Sequence, residues 1–281
     1  MSTTAVVITH SHPPAATEAI PLAVSVAEEV GARLLASEEE LAKHGGAAAG
    51  IEVAPADLRP DICLVFGGDG SILHALRRFS GTNVPVFGIN FGTVGFLAAV
   101  ERGDAASGVR RALTGELETI ALPGLEVGVG DLKSLGVNDI TLTRRPHDRV
   151  AELSYRISGQ EVGHVRCDGL VAATPAGSTG YNLANQGPIL AWGVKGYVVS
   201  YIAPHSLTAR ALVVAPGDVL HVGNAAGREP VEVAIDGELL TELGPGAELE
   251  ICFVDAVASL AQLPGSSFYG RIREKFGHLA V

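Results

Sequence analysis

The chain has 281 residues, enough for two modest domains or one large one, and 47% of them are hydrophobic. Its formal net charge of -11, without a basic run, makes it a poor candidate for binding nucleic acid, which requires clustered lysine and arginine. The three cysteines are far apart, and no pair has the spacing of a metal site or a disulfide framework. We find no secretory signal and no apolar run long enough to cross a membrane, so we expect a soluble, cytoplasmic protein.

The first hundred residues alternate between apolar strands and helices. Short strands are predicted at 5–9, 62–66 and 85–89, and amphipathic helices at 15–30 and 71–79. Strands that are apolar throughout, with helices between them, are typical of a parallel sheet covered on both faces. The sequence therefore predicts an N-terminal α/β domain.

After about residue 100 the pattern changes to short strands. Between Leu125 and Phe253, segments rich in Val, Ile, Leu and Thr are broken by Gly, Pro, Asn and Asp, which is typical of a β-dominated domain. A helix is then predicted at Phe268–Phe276, which we expect to pack back on the first domain. The predicted domains are 1–100 with the C-terminal helix at about 266–281, and 101–265.

A glycine-rich loop, Gly67–Gly70, joins the strand at 62–66 to the helix at 71–79. Glycines let backbone amides approach phosphate oxygens, and the N-terminus of the helix adds positive charge. Asp69 lies inside this loop, where a carboxylate would repel an anion unless it orients a hydroxyl, accepts a proton or contacts a metal. The alternative is a plain turn in which Asp69 caps the helix, and the loop alone favours neither interpretation.

Two more loops follow predicted strands. Gly88–Leu97 contains three glycines, and we expect it to share one sheet edge with Gly67–Gly70, although a tight crossover would also explain it. The run Thr174–Tyr181, with the sequence TPAGSTGY, offers amides and hydroxyls to a polar ligand, and Tyr181 can serve as a stacking surface. A surface turn would account for the composition of this run but not for its order.

Taken together, these motifs resemble the NAD kinase family. The GGDG loop, the GxNxGxxGFL loop, an Asn-acidic pair, the DG(x)4TPxGSTxY block and a later Asp-Gly occur in that family's order within residues 60–240. The resemblance implies a Rossmann-like N-terminal α/β domain, a C-terminal β-sandwich-like NAD-binding domain, and an active site between them built across a homodimer or homotetramer. It also implies NAD and ATP or polyphosphate as substrates, with Mg²⁺ accompanying the triphosphate. From the acidic charge and the lack of a basic or amphipathic membrane-facing segment, we expect no nucleic acid or membrane partner.

The resemblance assigns roles to individual residues. Asp69 matches the family's catalytic residue, taken to be the base for the 2′-hydroxyl of the adenosine ribose of NAD. We expect the loop that contains Asp69 to hold the triphosphate through Gly67, Gly68, Gly70 and Ser71. We predict no set of metal-ligating side chains in the protein. Besides Asp69, the positions that match NAD-binding residues are Gly70, His74, Asn138, Asp139, Arg149, Arg166, Asp168, Ala176, Thr179, Gly180, Tyr181, Asn182, Leu183 and Ala184.

Some positions depart from the family pattern, and two alternatives stay open. The departures are Asp139 where Glu is usual, Ala176 where a hydroxyl residue is usual, Gly180 and Glu238. They leave a non-catalytic NAD(P)-binding sensor on the same scaffold as the main alternative. A kinase of a lipid or sugar phosphate is the other, because GGDG also occurs in phosphofructokinases and diacylglycerol kinases, but the TPAGSTGY block argues against it.

Overall fold

The computed structural model describes residues 2–10, 14–92, 95–225 and 229–277. Its helices are α1 (Pro14–Thr17), α2 (Ala19–Val30), α3 (Glu38–His44), α4 (Asp69–Arg78), α5 (Ala105–Leu113), α6 (Tyr181–Ala184) and α7 (Phe268–Phe276). Its strands are β1 (Thr4–Thr9), β2 (Arg33–Ala36), β3 (Glu52–Val53), β4 (Ile62–Gly67), β5 (Pro85–Asn90), β6 (Val100–Glu101), β7 (Glu118–Val129), β8 (Leu132–Gly136), β9 (Asp139–Arg144), β10 (Ala151–Ile157), β11 (Gln160–Cys167), β12 (Gly169–Ala173), β13 (Tyr197–Ile202), β14 (Leu212–Val214), β15 (Leu220–Asn224), β16 (Val231–Ile235), β17 (Glu238–Leu243) and β18 (Glu248–Gln262). Within these described ranges, no helix combines the length and hydrophobicity that a membrane span requires.

The chain divides into two compact units. Unit 1 comprises Met1–Ala121 and Ala258–Val281, and unit 2 comprises Leu122–Val257. The change to short strands near residue 100 predicts an earlier boundary, whereas the structure assigns α5 to unit 1. The reason is burial, because α5 packs against α2 and shares its core cluster. The boundaries of functional domains remain a prediction.

Unit 1 is built on a parallel sheet with the strand order β3-β2-β1-β4-β5. Ser259–Ala261 of β18 pair in parallel with Pro85–Phe87 of β5. Leu64 and Phe66 of β4 belong to a core cluster that also contains residues of α2 and α5. Val65 is equally buried, and its side chain points to the opposite face because side chains alternate along a strand. The sheet is therefore covered on both faces, and the predicted parallel α/β fold is confirmed.

Unit 2 consists of two antiparallel sheets. One has the strand order β14-β13-β12-β9-β16-β17, and the other joins β11, β10, β15 and the first part of β18. A single core cluster draws Leu142 and Leu170 from the first sheet and Leu153 and Val222 from the second. Two sheets that bury their facing side chains in one core form a β-sandwich, so the predicted second fold is confirmed as well.

Candidate active site

The glycine loop lies where β4 ends and α4 begins. The N-cap of α4 is Gly68, and Asp69 is its first residue. The structure therefore does not support the interpretation of Asp69 as the helix cap. A Cβ atom at Gly67 would lie 2.4 Å from Oγ of Ser71, so this turn has no room for a side chain at its first position.

The carboxylate of Asp69 is held by the second glycine loop. Its Oδ2 accepts a hydrogen bond from the backbone N–H of Phe96 at 2.6 Å, and its Oδ1 accepts one from the N–H of Leu97 at 3.0 Å. Two amide donors fix both the position and the rotation of a carboxylate. The side chain of Asp69 is thus oriented before any ligand binds.

The two glycine loops meet at one edge of the sheet, as expected. β4 and β5 are parallel neighbours in which Gly67 pairs with Asn90. A Cβ atom at Gly92 would lie 3.2 Å from the Cα of Gly68, and one at Gly95 would lie 2.0 Å from Oδ1 of Asp69. The second loop approaches the first this closely because it has glycine at these points. Residues 93 and 94 of that loop lie outside the described residues.

A cleft of about 820 Å³ opens at this edge. Gly68, Asp69, Gly70, Ser71 and His74 line it together with residues of β1, α3 and the second glycine loop. Such a volume falls within the usual range for small-molecule and cofactor sites. The cleft therefore contains every site residue that the sequence predicts in unit 1 apart from Gly67, which ends the strand beneath it.

Lys43 of α3, which is not among the predicted site residues, lines the same cleft. Among the described residues that line this cleft, it is the one Lys or Arg side chain. Its Nζ lies 2.8 Å from Oε2 of Glu40, whose side chain is buried. Oε1 of Glu40 accepts a hydrogen bond from the backbone N–H of Thr9 at 2.9 Å. A buried carboxylate thus holds the ammonium group at the cleft wall. The spacing of three residues between Glu40 and Lys43 on α3 is the sequence signal that could have indicated this pair.

In unit 2, the carboxylate of Asp236 organises the segment that contains Asn138. It accepts hydrogen bonds from the backbone N–H groups of Val137 at 2.9 Å, Asn138 at 2.7 Å and Asp139 at 3.0 Å. Asp236 and Gly237 form the two-residue turn between β16 and β17, with φ values of 49° and 83°. Positive φ at both positions is the geometry for which Asp-Gly is favoured in hairpins. The sequence showed the Asp-Gly motif but not this role for its carboxylate.

Asn138 meets the TPAGSTGY loop because Asp139 and Ala173 are paired at the same end of β9 and β12. The backbone carbonyl of Asn138 accepts a hydrogen bond from the N–H of Thr174 at 2.8 Å. A Cβ atom at Gly177 would lie 2.1 Å from that carbonyl oxygen, so the contact requires glycine. The side-chain Oδ1 of Asn138 is buried without a hydrogen-bond partner among the described residues. A buried acceptor without a donor is energetically unfavourable, so this atom would gain from a donor that a ligand supplied.

Within the TPAGSTGY loop, some predicted site residues face inward and others face solvent. Asn182 is fully buried, and its Nδ2 donates to the carbonyls of Ser178 at 2.9 Å and Pro188 at 3.0 Å. Ala176 is also buried, and Thr179 and Leu183 are half-buried. Gly180, Tyr181 and Ala184 are exposed, with 43% of Tyr181 accessible. Asn182 therefore shapes the loop, whereas the ring of Tyr181 offers a surface.

The other predicted residues of unit 2 lie at the far end of β9. Asp168 forms an ion pair with Arg144, whose Nε lies 2.6 Å from Oδ1, and this hydrogen bond lowers the pKa of Asp168. Arg149 and Arg166 line a small cleft of about 210 Å³ together with Arg144. Asp139 and Arg144 are the two ends of β9, which places these groups about 17 Å apart along the strand. Unit 2 thus brings Asn138 to the TPAGSTGY loop but keeps Asp168 away from both.

Asp139 is the buried acid of the Asn-acidic pair. Burial raises its pKa to about 7, and the negative charge of Asp236 adds to this shift. The unfolded chain releases this proton near pH 3.8, while the folded chain keeps it until about pH 7. Between those values folding takes up a proton, so the contribution of Asp139 to stability is complete at low pH and is lost as the pH rises to 7.

We predict that Asp139→Asn removes this pH dependence. Relative to the variant, the wild-type free energy of unfolding should fall between pH 4 and pH 7, by at most about 1.4 kcal/mol for each pH unit. Urea unfolding of both proteins across this range measures the difference, with Asp131→Asn in the exposed turn between β7 and β8 as the control. Parallel pH profiles for wild type and Asp139→Asn would contradict the assignment.

The chain is similar to known proteins along most of its length. Residues 21–117 match the ATP-NAD kinase N-terminal domain, and residues 137–263 match the ATP-NAD kinase C-terminal domain. The NAD kinase of Symbiobacterium thermophilum is 34% identical over 267 residues, which cover 91% of this chain and 94% of that protein.

Two solved structures share the fold. Yeast NADH kinase complexed with NADH matches with a TM-score of 0.86 and 20% identity, covering 100% of this chain and 89% of that one. An NAD kinase from Archaeoglobus fulgidus in complex with ATP matches with a TM-score of 0.69 and 24% identity, covering 99% and 98%. Both domains of the ATP-NAD kinase family match this chain in order, and a curated NAD kinase is 34% identical over 91% of it. The chain therefore belongs to the ATP-NAD kinase family.

Proposed function

We propose that this chain transfers the γ-phosphate of ATP, or a terminal phosphate of polyphosphate, to the 2′-hydroxyl of the adenosine ribose of NAD, giving NADP. Membership of the ATP-NAD kinase family supports the reaction. The observation that carries the assignment of residues is the carboxylate of Asp69, which two backbone amides hold in a cleft beside a glycine loop. A carboxylate fixed beside a phosphate-binding loop suits the activation of a hydroxyl.

In the proposed reaction, Asp69 accepts the proton of the 2′-hydroxyl. The ribose oxygen attacks the γ-phosphorus in line, the bond from that phosphorus to the β,γ-bridging oxygen breaks, and ADP leaves. Phosphoryl transfer requires little covalent help from a protein, so most of the acceleration comes from positioning and electrostatics. The two amides that hold Asp69 supply that positioning without a change at the moment of reaction.

We assign the triphosphate to the loop at the start of α4, at Gly67, Gly68, Gly70 and Ser71. Free amides at a helix N-terminus bind phosphate oxygens, and the ten-residue α4 begins in the cleft. Lys43 adds the positive charge that the strongly acidic chain must supply locally. Its buried partner Glu40 limits the positions that the ammonium group can take.

The cleft also suits a triphosphate that carries Mg²⁺. This ion keeps several waters and takes most of its other ligands from substrate phosphates, with one or two protein carboxylates. The carboxylate of Glu39 lines the cleft and is an oxygen donor of that kind. When bound, Mg²⁺ would offset the negative charge of the transferring phosphate.

We assign NAD to the predicted residues of both units: Asp69, Gly70, His74, Asn138, Asp139, Arg149, Arg166, Asp168, Ala176, Thr179, Gly180, Tyr181, Asn182, Leu183 and Ala184. The buried Asn182 contributes through the shape of its loop. Two features support this assignment most directly: Oδ1 of Asn138 has no hydrogen-bond partner in the described part of the chain, and the ring of Tyr181 is exposed. Because Asp168 lies at the far end of β9 from Asn138, we further propose a homo-oligomer in which two copies of the chain contribute to NAD binding. The cytoplasmic location remains a prediction from the sequence.

We predict that Asp69→Asn lowers kcat for NADP formation by about 10²–10⁴, because the amide keeps the shape of the carboxylate but cannot accept the proton. Purified protein is incubated with NAD, ATP and Mg²⁺, and NADP is quantified over time. Asp57→Asn, at an exposed turn of the same unit, is the control and should retain full activity. Near-normal turnover by Asp69→Asn would contradict the role of Asp69. Binding of NADP by the wild type without turnover, with ATP or with polyphosphate, would instead identify a sensor.

We predict that Lys43→Met raises KM for ATP by about 10-fold or more and leaves KM for NAD unchanged. The change removes a charged hydrogen bond to phosphate worth about 1.5–3 kcal/mol. Lys43→Arg should recover part of the loss, and Lys195→Met, which removes an exposed lysine of unit 2, is the control. An unchanged KM for ATP in Lys43→Met, measured by initial rates, would remove Lys43 from the triphosphate site.

A further inference from the structure

The loop that holds Asp69 is itself held from the other side by two side chains of unit 1. Nη1 of Arg271 donates hydrogen bonds to the carbonyls of Phe96 at 3.2 Å and of Ala98. Nε2 of Gln262 donates to the carbonyl of Leu97 at 3.0 Å. Three consecutive carbonyls of the loop are therefore bound by side chains that follow it in the sequence by more than 160 residues.

These two side chains also bind each other. Nη2 of Arg271 donates to Oε1 of Gln262, whose side chain is almost completely buried. Burial lowers the pKa of Arg271, while the negative charges of Glu274 and Asp69 oppose that shift. A guanidinium group with several donors in a fixed plane suits a cluster of carbonyls, which a lysine ammonium cannot match in geometry.

Helix α7 also contacts this loop through the aromatic ring of Phe96. The rings of Phe96 and Phe276 are 5.6 Å apart between their centroids. Nζ of Lys275 lies 5.9 Å from the centroid of the Phe96 ring. The helix thus contacts the loop through Arg271 and through residues of its last turn.

One peptide group connects both sets of hydrogen bonds. The peptide between Phe96 and Leu97 presents its N–H to Oδ1 of Asp69 and its carbonyl to Nη1 of Arg271. Because a peptide group is planar, a rotation that turned the N–H away from Asp69 would also break the bond to Arg271. A charged donor on the carbonyl further polarises the N–H at the other end of the group.

We propose that Arg271 and Gln262 are positioning residues for Asp69, so that the C-terminal helix α7 takes part in phosphoryl transfer through the second glycine loop. Neither side chain is assigned a contact with substrate. This inference rests on the proposed function, because it requires Asp69 to be the base. Its effect falls on the rate of the chemical step, and the binding of ATP and NAD stays unchanged.

The test is a double-mutant cycle between Arg271→Lys and Asp69→Asn. Arg271→Lys alone should lower kcat by about 10–100-fold, the cost of a shift of about 1 Å in a catalytic group, with both KM values within about twofold of wild type. In the Asp69→Asn background the same substitution should change kcat by less than about twofold, since the group it positions no longer acts. Arg273→Lys, an exposed position of the same helix, is the control and should leave kcat unchanged.

Two results would overturn the inference. One is a loss of kcat on Arg271→Lys that is equally large in both backgrounds, which indicates a general structural effect. The other is a normal kcat in both Arg271→Lys and Gln262→Met. If Arg271→Lys folds poorly, Gln262→Met provides the test alone. Normal turnover by Asp69→Asn alone would instead contradict the proposed function, so the two failures are distinguishable.

Discussion

The hydrogen bonds from the amides of Phe96 and Leu97 to the carboxylate of Asp69 are the interaction on which the candidate site depends. They join the loops after two neighbouring parallel strands and set the orientation of the one carboxylate within the glycine loop. A negative charge beside a phosphate-binding loop is unfavourable unless it is held in place and has a task. Gly95 permits the contact, because any side chain there would occupy the position of the carboxylate.

In unit 2, a carboxylate holds a different backbone segment through the same kind of hydrogen bonds. The carboxylate of Asp236 accepts hydrogen bonds from three consecutive backbone amides and thereby fixes the segment that contains Asn138 and Asp139. In both units an acidic side chain on a tight turn organises the backbone of a distant segment. The consequences differ, since Asp69 lines an open cleft whereas Asp236 lies beside the buried Asp139 and raises its pKa. Removing the charge of Asp236 would therefore disturb the shape of the segment and the ionisation of Asp139 together.

Much of the fold and part of the site could be predicted from the sequence. Continuous apolar strands before glycine loops indicated the parallel sheet, and parallel strands place successive loops at the same edge. The partners of Arg144 and Arg271 could not be predicted, because neither residue shows a periodicity or motif that points to its contacts. Both meet their partners through the tertiary fold, and Arg271 does so across 173 residues of sequence. Lys43 differs, because its partner Glu40 lies three residues earlier on the same helix, a spacing that is visible in the sequence. The predicted residue Asn182 shows the reverse case, a motif position whose side chain binds its own loop.

The most direct test of the account is the effect of Gly95→Ala on kcat for NADP formation. A methyl group at this position would lie within 2.0 Å of the Asp69 carboxylate, so the account predicts that kcat falls by about 10-fold or more while KM for ATP stays near its wild-type value. Gly103→Ala, where a methyl group meets nothing within 4 Å, should behave as wild type. An unchanged kcat in Gly95→Ala would contradict the claim that the fixed carboxylate of Asp69 carries the reaction.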